Sequence, residues 1–343
     1  MSQPLSVALV GYGSIARAHA AHVRAEGHVL SWVVGPAAAS ARRFAEAHGA
    51  QRWTTALSEP LADPRVDAVV VASPNSTHAE ITRAALENGK HVLCEIPLAT
   101  SLADALEVER LAERADRVVM VGHTHRYQAR LLALRHAIRA DDDVVGQVLA
   151  RYLLDRRTDR SSSGRVRSWQ DSLVWHHLAH SVDIALWLLN RTDVGGVAVR
   201  AMAGPVRDGA PLDVGILVGL PDGTMVTVSG SYQGGLEQVY DYVVTARDHH
   251  YATVGDRLHR DGEPYPWEAR GHPDGRRQQD RDFFDAVQGS RPCPIRPSDV
   301  MPAMRVLQLV EDQLIAAGGS VAPYGTDGRH RHELAAPPRP TGR

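Results

Sequence analysis

The chain has 343 residues, 43% of them hydrophobic and 23% charged, with a formal net charge of -2. Its length calls for about two domains, and its composition excludes a largely disordered chain. The lack of a basic field argues against a nucleic-acid or polybasic membrane binder, leaving a small molecule as the expected ligand. Only Cys94 and Cys293 are present, too few for a disulfide framework, and no apolar run is long enough to span a bilayer. The chain therefore reads as soluble and cytoplasmic. Lysine and arginine total 38, yet Lys90 is the only lysine. Any chemistry that requires a lysine must use that residue.

In chain order, residues 6–10, 29–34, 68–72, 91–94 and 118–121 are Val- and Leu-rich runs with few charges, the pattern of strands covered on both faces. Between them, residues 15–26, 38–48, 77–88 and 103–114 carry apolar residues at helical spacing. This alternation predicts an N-terminal Rossmann-type domain over 1–123, a doubly wound parallel sheet in an α/β fold. After residue 124 the pattern changes. A helix at 131–139 leads to a strand at 148–154, an arginine-rich loop at 155–167 and a long helix from about 169 to 189. Strands follow at 197–203, 214–220, 225–231, 240–246 and 251–254, then helices at 276–288 and 298–317. Strands in series joined by short turns predict an α+β domain over 124–323 with a largely antiparallel open sheet. Residues 324–343, rich in Pro, Arg, His and Gly, read as a flexible tail.

The first strand runs into Gly11-Tyr12-Gly13-Ser14-Ile15-Ala16, a G-x-G-x-x-A opening a helix. The first glycine permits the tight turn, the second lets the backbone approach a pyrophosphate, and the small third residue lets helix and strand pack closely. Gly11, Gly13, Ser14 and Ile15 are thus the expected cradle of a dinucleotide at a helix N-terminus. The second strand ends in Val34-Gly35-Pro36-Ala37, without the acidic residue that would bind the ribose 2′-hydroxyl of NAD. NADP is therefore favoured over NAD, with Ser40, Arg42 or Arg43 able to meet a 2′-phosphate.

Together with Ser73-Pro74-Asn75-Ser76-Thr77-His78 and Cys94-Glu95-Ile96-Pro97, the glycine turn resembles the Gfo/Idh/MocA oxidoreductase family over nearly the whole chain. The resemblance implies that Pro74, Asn75 and His78 line the cofactor, and that Glu95 and Pro97 sit beside its nicotinamide half. It also implies a homodimer or higher homo-oligomer. One departure matters for mechanism: where the family carries Glu-Lys-Pro with a catalytic lysine, Ile96 stands here. Ile has no proton to exchange. Lys90 precedes a strand, at the end of the sheet away from the cofactor crevice, and reads as a solvated surface residue.

The second departure lies in Trp175-His176-His177-Leu178-Ala179-His180-Ser181-Val182-Asp183. His176, His180 and Asp183 are spaced to share one face of a helix. His180 and Asp183 match the His and the second Asp of a family D-x-G-x-H-x-x-D pattern, while His176 replaces the first Asp. An imidazole with its ordinary pKa near 6.5 accepts a hydroxyl proton at neutral pH. His180 is the expected base, Asp183 its orienting partner and His176 the residue that positions the oxygen. Buried structural histidines are the plain alternative. His-x-x-x-His with a nearby carboxylate also suits zinc, but hydride transfer to nicotinamide needs no metal, and none is expected.

Glu95-Ile96-Pro97, Gly122-His123-Thr124-x-Arg126 and Trp175-His176-His177-x-x-His180 together resemble a subgroup of aromatic-catabolism dehydrogenases in that family. This implies a carboxylated substrate whose cyclic hemiacetal is oxidised, with NADP, to 2-pyrone-4,6-dicarboxylate. His123, Trp169 and His177 are then expected near the substrate. Arg126 and Arg167, followed by Arg156, Arg157 and Arg165, are candidate forks for its carboxylates. Arginine is this chain's default cation, so some of these belong simply to exposed loops. A same-family enzyme acting on a sugar, lactol or natural-product intermediate is the competing reading. A non-catalytic nucleotide sensor is a third, opposed by the added imidazoles.

Overall fold

A computed structural model of the chain describes residues 3–155, 172–204, 206–207, 210–233, 238–267 and 274–318. The first part contains β1 (Ser6–Val10), α1 (Ser14–Ala25), β2 (Val29–Val34), α2 (Ala38–His48), β3 (Arg52–Thr54), α3 (Ser58–Ala62), β4 (Ala68–Val71), α4 (His78–Glu87), β5 (His91–Glu95), α5 (Leu102–Arg114) and β6 (Val119–Gly122). All six strands are parallel, in the order β3-β2-β1-β4-β5-β6. The chain reverses direction across the sheet between β1 and β4, so their carboxyl ends open the crevice where ligands of such sheets sit. β4 and β6 are buried along their whole length, as continuous apolar runs require when helices cover both faces. Sequence patterning misses β3 and α3, whose few residues carry too little periodicity to register.

The second part contains α6 (Ala129–Ala140), β7 (Val145–Leu153), a π-helical turn (Leu173–His177), α7 (Leu178–Leu188), β8 (Ala198–Ala203), β9 (Val206–Arg207), β10 (Ala210–Pro211), β11 (Asp213–Gly219), β12 (Met225–Ser231), β13 (Val239–Ala246), β14 (His250–Val254), β15 (Arg257–Arg260), β16 (Glu263–Pro264), α8 (Gly275–Val287) and α9 (Pro297–Ala316). Its eight-stranded sheet, β16-β15-β14-β13-β7-β12-β11-β8, is antiparallel except where β12 runs parallel to β7. Burial alternates along β7, β11 and β12, so one face packs inward against α7 while the other is open. Helix α9 joins the two parts by packing on both α5 and α7, and α8 returns to lie on α1. No helix among the described residues is long and apolar enough to cross a membrane.

Two expectations need correction. Lys90 does sit at the far end of the parallel sheet, but it is buried. Its Nζ donates to the carbonyls of Asp63 and Val66 at 2.8 and 2.9 Å, tying the loop after α3 to the start of β5. The long helix expected from 169 is not uniform: within the described chain it opens as the π-helical turn and becomes regular only at Leu178. Such wide turns often mark functional positions, and this one carries His176 and His177.

Candidate active site

Gly11, Ser73, Glu95 and His123 lie at or just beyond the carboxyl ends of the neighbouring strands β1, β4, β5 and β6. Gly11 has φ +114°, and a Cβ there would lie 2.2 Å from the Ala72 carbonyl oxygen, so the turn admits only glycine. Gly13 is glycine for a different reason. A Cβ on it would meet no protein atom within 4 Å, so the space above it is open for a ligand. Gly13 is also the N-cap of α1 and offers no side-chain acceptor, which leaves the first N–H groups of the helix for a phosphate. Ser14 and Ile15 begin that helix. These residues fit a dinucleotide.

Pro74 and Asn75 are half-buried at the end of β4, and Pro97 is buried beyond β5. His78 does not line the crevice as an open side chain. It is 1% exposed and packed between the two crevice loops, with its ring nitrogens 2.7 and 2.9 Å from the carbonyl oxygens of Pro97 and Ser73.

Glu95 ends β5 against Gly122, where a Cβ would come within 3.1 Å of its Oε1. The carboxylate belongs to a buried charge network absent from the sequence-based expectations. His19 Nε2 lies 3.0 Å from Glu95 Oε1, and His19 Nδ1 lies 2.8 Å from Asp280 Oδ2. His22 Nδ1 meets the same Asp280 oxygen at 2.7 Å. Burial acts to lower the His19 pKa, but Asp280 and Glu95 outweigh it and raise the imidazole to about 10. Burial likewise disfavours the Glu95 and Asp280 carboxylates, yet His19 holds both below their ordinary values. His19, His22 and Asp280 come close enough to suggest a metal triad. With both ring nitrogens of His19 engaged by carboxylates, however, no lone pair on it is left for a cation. The only sequence signal was a pair of histidines at i and i+3 in an alanine-rich helix; their partner Asp280 is some 260 residues away.

Histidines gather on the opposite wall. His125, from the turn Thr124–Tyr127, stacks on His180 with ring centroids 3.9 Å apart and on Tyr240 at 4.6 Å. His123 meets His180 edge-on at 5.9 Å. His176 stacks on His177 at 4.1 Å, and His177 Nδ1 lies 2.6 Å from the Tyr232 hydroxyl. Burial lowers the pKa of His123 to about 4 and of His125 to about 3, with Arg130 adding to the effect at His125. Half-buried His180 is held well below its ordinary value by desolvation and then by the neighbouring imidazoles. His176 lies within electrostatic reach of both His180 and His78. His125 was missed because it lies outside the helical pattern that drew attention to the others.

Asp183 takes a role other than the one expected. It accepts two hydrogen bonds from Arg126, at 2.8 and 2.6 Å, and lies 3.2 Å from His123 Nδ1. It does not orient His180, whose Nδ1 has no hydrogen-bond partner among the described residues. Both residues lie on the regular part of α7, and it is the turn after β6 that parts them, Arg126 meeting Asp183 while His125 stacks on His180. Arg126 is correspondingly closed as a substrate fork, because its Nη2 also donates to the Asp299 carbonyl at 3.0 Å. Arg156, Arg157, Arg165, Arg167 and Trp169 lie outside the described residues.

Comparison with known proteins agrees with this architecture. Residues 5–123 match the model of the oxidoreductase family with NAD-binding Rossmann fold, and residues 132–264 match that of the bacterial oxidoreductase C-terminal domain. The chain is 31% identical over 320 residues to a 4-carboxy-2-hydroxymuconate-6-semialdehyde dehydrogenase of Sphingobium sp., covering 92% of this chain and all of that one. It is 32% identical to an inositol 2-dehydrogenase of Rhodococcus jostii, over 61% of this chain and 56% of the relative. A solved structure of GenD2 from gentamicin A biosynthesis, in complex with NAD, superposes with a TM-score of 0.78 at 24% identity, covering 92% of this chain and 96% of that one.

Proposed function

The chain belongs to the Gfo/Idh/MocA family of NAD-binding oxidoreductases, and from that premise we propose that it is an NADP-dependent dehydrogenase acting on a carboxylated hemiacetal. In its specific form, the reaction oxidises the cyclic hemiacetal of 4-carboxy-2-hydroxymuconate-6-semialdehyde, or a close relative, to a pyrone such as 2-pyrone-4,6-dicarboxylate. The observation that carries this reading is His180, a half-buried imidazole kept neutral among His123, His125 and His176, in a site where Ile96 replaces the family lysine.

Gly13, Ser14 and Ile15 would hold the pyrophosphate and Pro74 and Asn75 its flank, with the nicotinamide half toward Glu95 and Pro97. When bound, the dinucleotide supplies the hydride acceptor. His180 takes the hemiacetal hydroxyl proton as hydride leaves the same carbon. Its lowered pKa makes it a weak base in the free protein, but an anionic substrate beside it raises the pKa toward the working range. His176 holds the reacting oxygen, and His123 and His177 face the substrate ring. Support for NADP is the stretch Gly35-Pro36-Ala37 after β2, which lacks a carboxylate, with half-buried Ser40 and exposed Arg43 hydrogen-bonded to each other on α2.

A cytoplasmic homo-oligomer is part of the proposal. Leu149 of β7 and Leu217 of β11 flank Thr227 of β12 in one row across the open sheet, and both leucines are exposed, a surface suited to a second copy. The inositol dehydrogenase relative favours a second reading, a sugar or inositol substrate. Enzymatically generated semialdehyde, incubated with the protein and either NADP or NAD, distinguishes the two when absorbance of the reduced cofactor is followed. Turnover with NADP is expected. No turnover with either cofactor refutes the specific proposal, and turnover of inositols or sugars instead establishes the second reading.

A further inference from the structure

The arginines of α8 fall into two groups. Arg277 and Arg281 both turn to Glu26, at 2.6 and 2.7 Å, and Arg291 beyond the helix pairs with Asp282. These are ordinary structural pairs. Arg276 makes no side-chain hydrogen bond or ion pair to any described residue, yet it is half-buried and its Nε is wholly shielded from solvent. Its neighbours fix where it sits. The preceding Gly275 is pressed so closely on the turn Thr124–Tyr127 that a Cβ there would lie 2.8 Å from the Tyr127 carbonyl oxygen. One turn further along α8, Gln279 accepts from the Thr124 hydroxyl at 3.0 Å, and Asp280 meets His19, which in turn meets Glu95. Residues at i, i+3 and i+4 share a helix face. Arg276 therefore lies on the face of α8 that looks toward Glu95 and His125, and its charge acts on both of them. Gln279 is fully buried on that face, with its Nε2 also lacking a partner among the described residues.

A guanidinium partly removed from water without a counter-ion is unfavourable, whereas one that awaits an anionic ligand is complete only in the complex. Glu95 lies within electrostatic reach of Arg276 but makes no hydrogen bond or ion pair with it, and its Oε1 is turned to His19. Arg126, the fork expected from sequence, is engaged by Asp183. We propose that Arg276 is the specificity-determining anchor for a carboxylate of the substrate, holding it between Glu95 and the His125–His180 stack. The identity of that substrate rests on the reading above; the carboxylate site does not.

The test uses the full chain with 2-pyrone-4,6-dicarboxylate as a binding probe, pyrone monocarboxylates as comparators, and the semialdehyde as substrate. Arg276→Ala should raise KM for the semialdehyde about 10- to 100-fold, the range for losing a charge-assisted fork, with kcat changed by less than about threefold. Calorimetric titration should show the preference for dicarboxylate over monocarboxylate collapsing in that variant. Arg276→Lys, which keeps the charge and loses the fork, should recover only part of it. Unchanged KM and unchanged discrimination in a folded Arg276→Ala protein overturn the proposal. So does an equal loss of affinity for NADP alone, which would make Arg276 a cofactor ligand. If the wild type fails to turn over the semialdehyde but binds the dicarboxylate through Arg276, the proposed reaction falls and the carboxylate site stands.

Discussion

Arg126 grips Asp183 through two parallel hydrogen bonds, Nε to Oδ2 at 2.8 Å and Nη2 to Oδ1 at 2.6 Å, in a position almost closed to solvent. Burial alone would favour a neutral carboxyl, but Arg126 and then His123 hold Asp183 ionised, below its ordinary pKa. The pair fastens the turn after β6 to α7, which fixes His123 and His125 relative to His180. Removing one member of such a pair strands a charge in the interior and costs about 3–5 kcal/mol. Asp183→Asn and Arg126→Ala should each lose unfolding free energy in that range, measured by urea denaturation. The double replacement by leucines should recover part of the loss. A normal urea midpoint for Arg126→Ala, accompanied by a selective rise in KM, would instead return Arg126 to the substrate.

His180 stacks face to face on His125, so an alanine at 180 removes both a base and a stacking surface. His180→Ala is expected to lower kcat by about 10²–10⁴, the range for loss of a general base. NADP affinity should be unchanged, because among the described residues no hydrogen bond or ring contact joins His180 to Gly13 or to the loops carrying Pro74 and Pro97. His180→Phe separates the two roles: it preserves the stacking surface and should be as inactive as the alanine variant. Turnover near wild type in either protein would take His180 out of proton transfer.

The histidines give stability a pH dependence whose two limbs have opposite origins. His123 and His125 have native pKa values near 4 and 3, and His180 is also well below the ordinary value of 6.5. Below pH 6.5 the unfolded chain takes up protons that these native imidazoles refuse, so stability falls with falling pH, by up to about 1.4 kcal/mol per unit for each group. The loss should run from pH 6.5 toward 4. His19 behaves in the opposite sense, because its native pKa is raised to about 10. Its contribution is complete below pH 6.5 and is lost as pH rises from there through 10. Thermal midpoints recorded from pH 4 to 10 should show both limbs. His125→Phe should flatten the acid limb and His19→Gln the alkaline one; an unchanged profile in either variant would remove that histidine from the explanation.

What was legible in the sequence follows a physical division. The parallel sheet was legible because β1, β2, β4, β5 and β6 are buried on both faces and must be apolar throughout, and Gly11 and Gly13 mark the loop where backbone meets ligand. His176 and His180 were legible as residues, since imidazoles on an otherwise apolar helix stand out. Their partners were not. Asp183 has equal helical spacing to suit His180, and only the approach of the turn carrying Arg126 decides between the two. The His19–Asp280 contact and the placement of Arg276 depend on α8 returning to pack on α1 across more than 250 residues of chain, a long-range closure that no local period encodes. Lys90 shows the same division in a single residue: its end of the sheet was readable, but its burial depended on the loop after α3 folding over it.

Gly11 and Gly13 are two residues apart, and they answer to different masters. At Gly11 the obstacle is the protein itself, since φ is +114° and the Ala72 carbonyl occupies the place of a Cβ. Gly11→Ala should therefore destabilise the fold by at least about 2 kcal/mol, through backbone strain and displacement of the β4 loop. At Gly13 φ is -76°, and nothing in the protein meets an added methyl. Gly13→Ala should lower the thermal midpoint by only a few degrees at most, since alanine is a poorer N-cap than glycine by roughly 0.5–1 kcal/mol. Its penalty falls on the ligand: the methyl projects into the space needed for close approach of a pyrophosphate, and dinucleotide affinity should drop about tenfold or more. Melting curves with and without NADP measure both effects, because a bound ligand raises the midpoint only where it still binds. A Gly13→Ala protein with an undiminished NADP-induced shift would mean that the dinucleotide passes elsewhere, and the cradle assigned to Gly13, Ser14 and Ile15 would have to be moved.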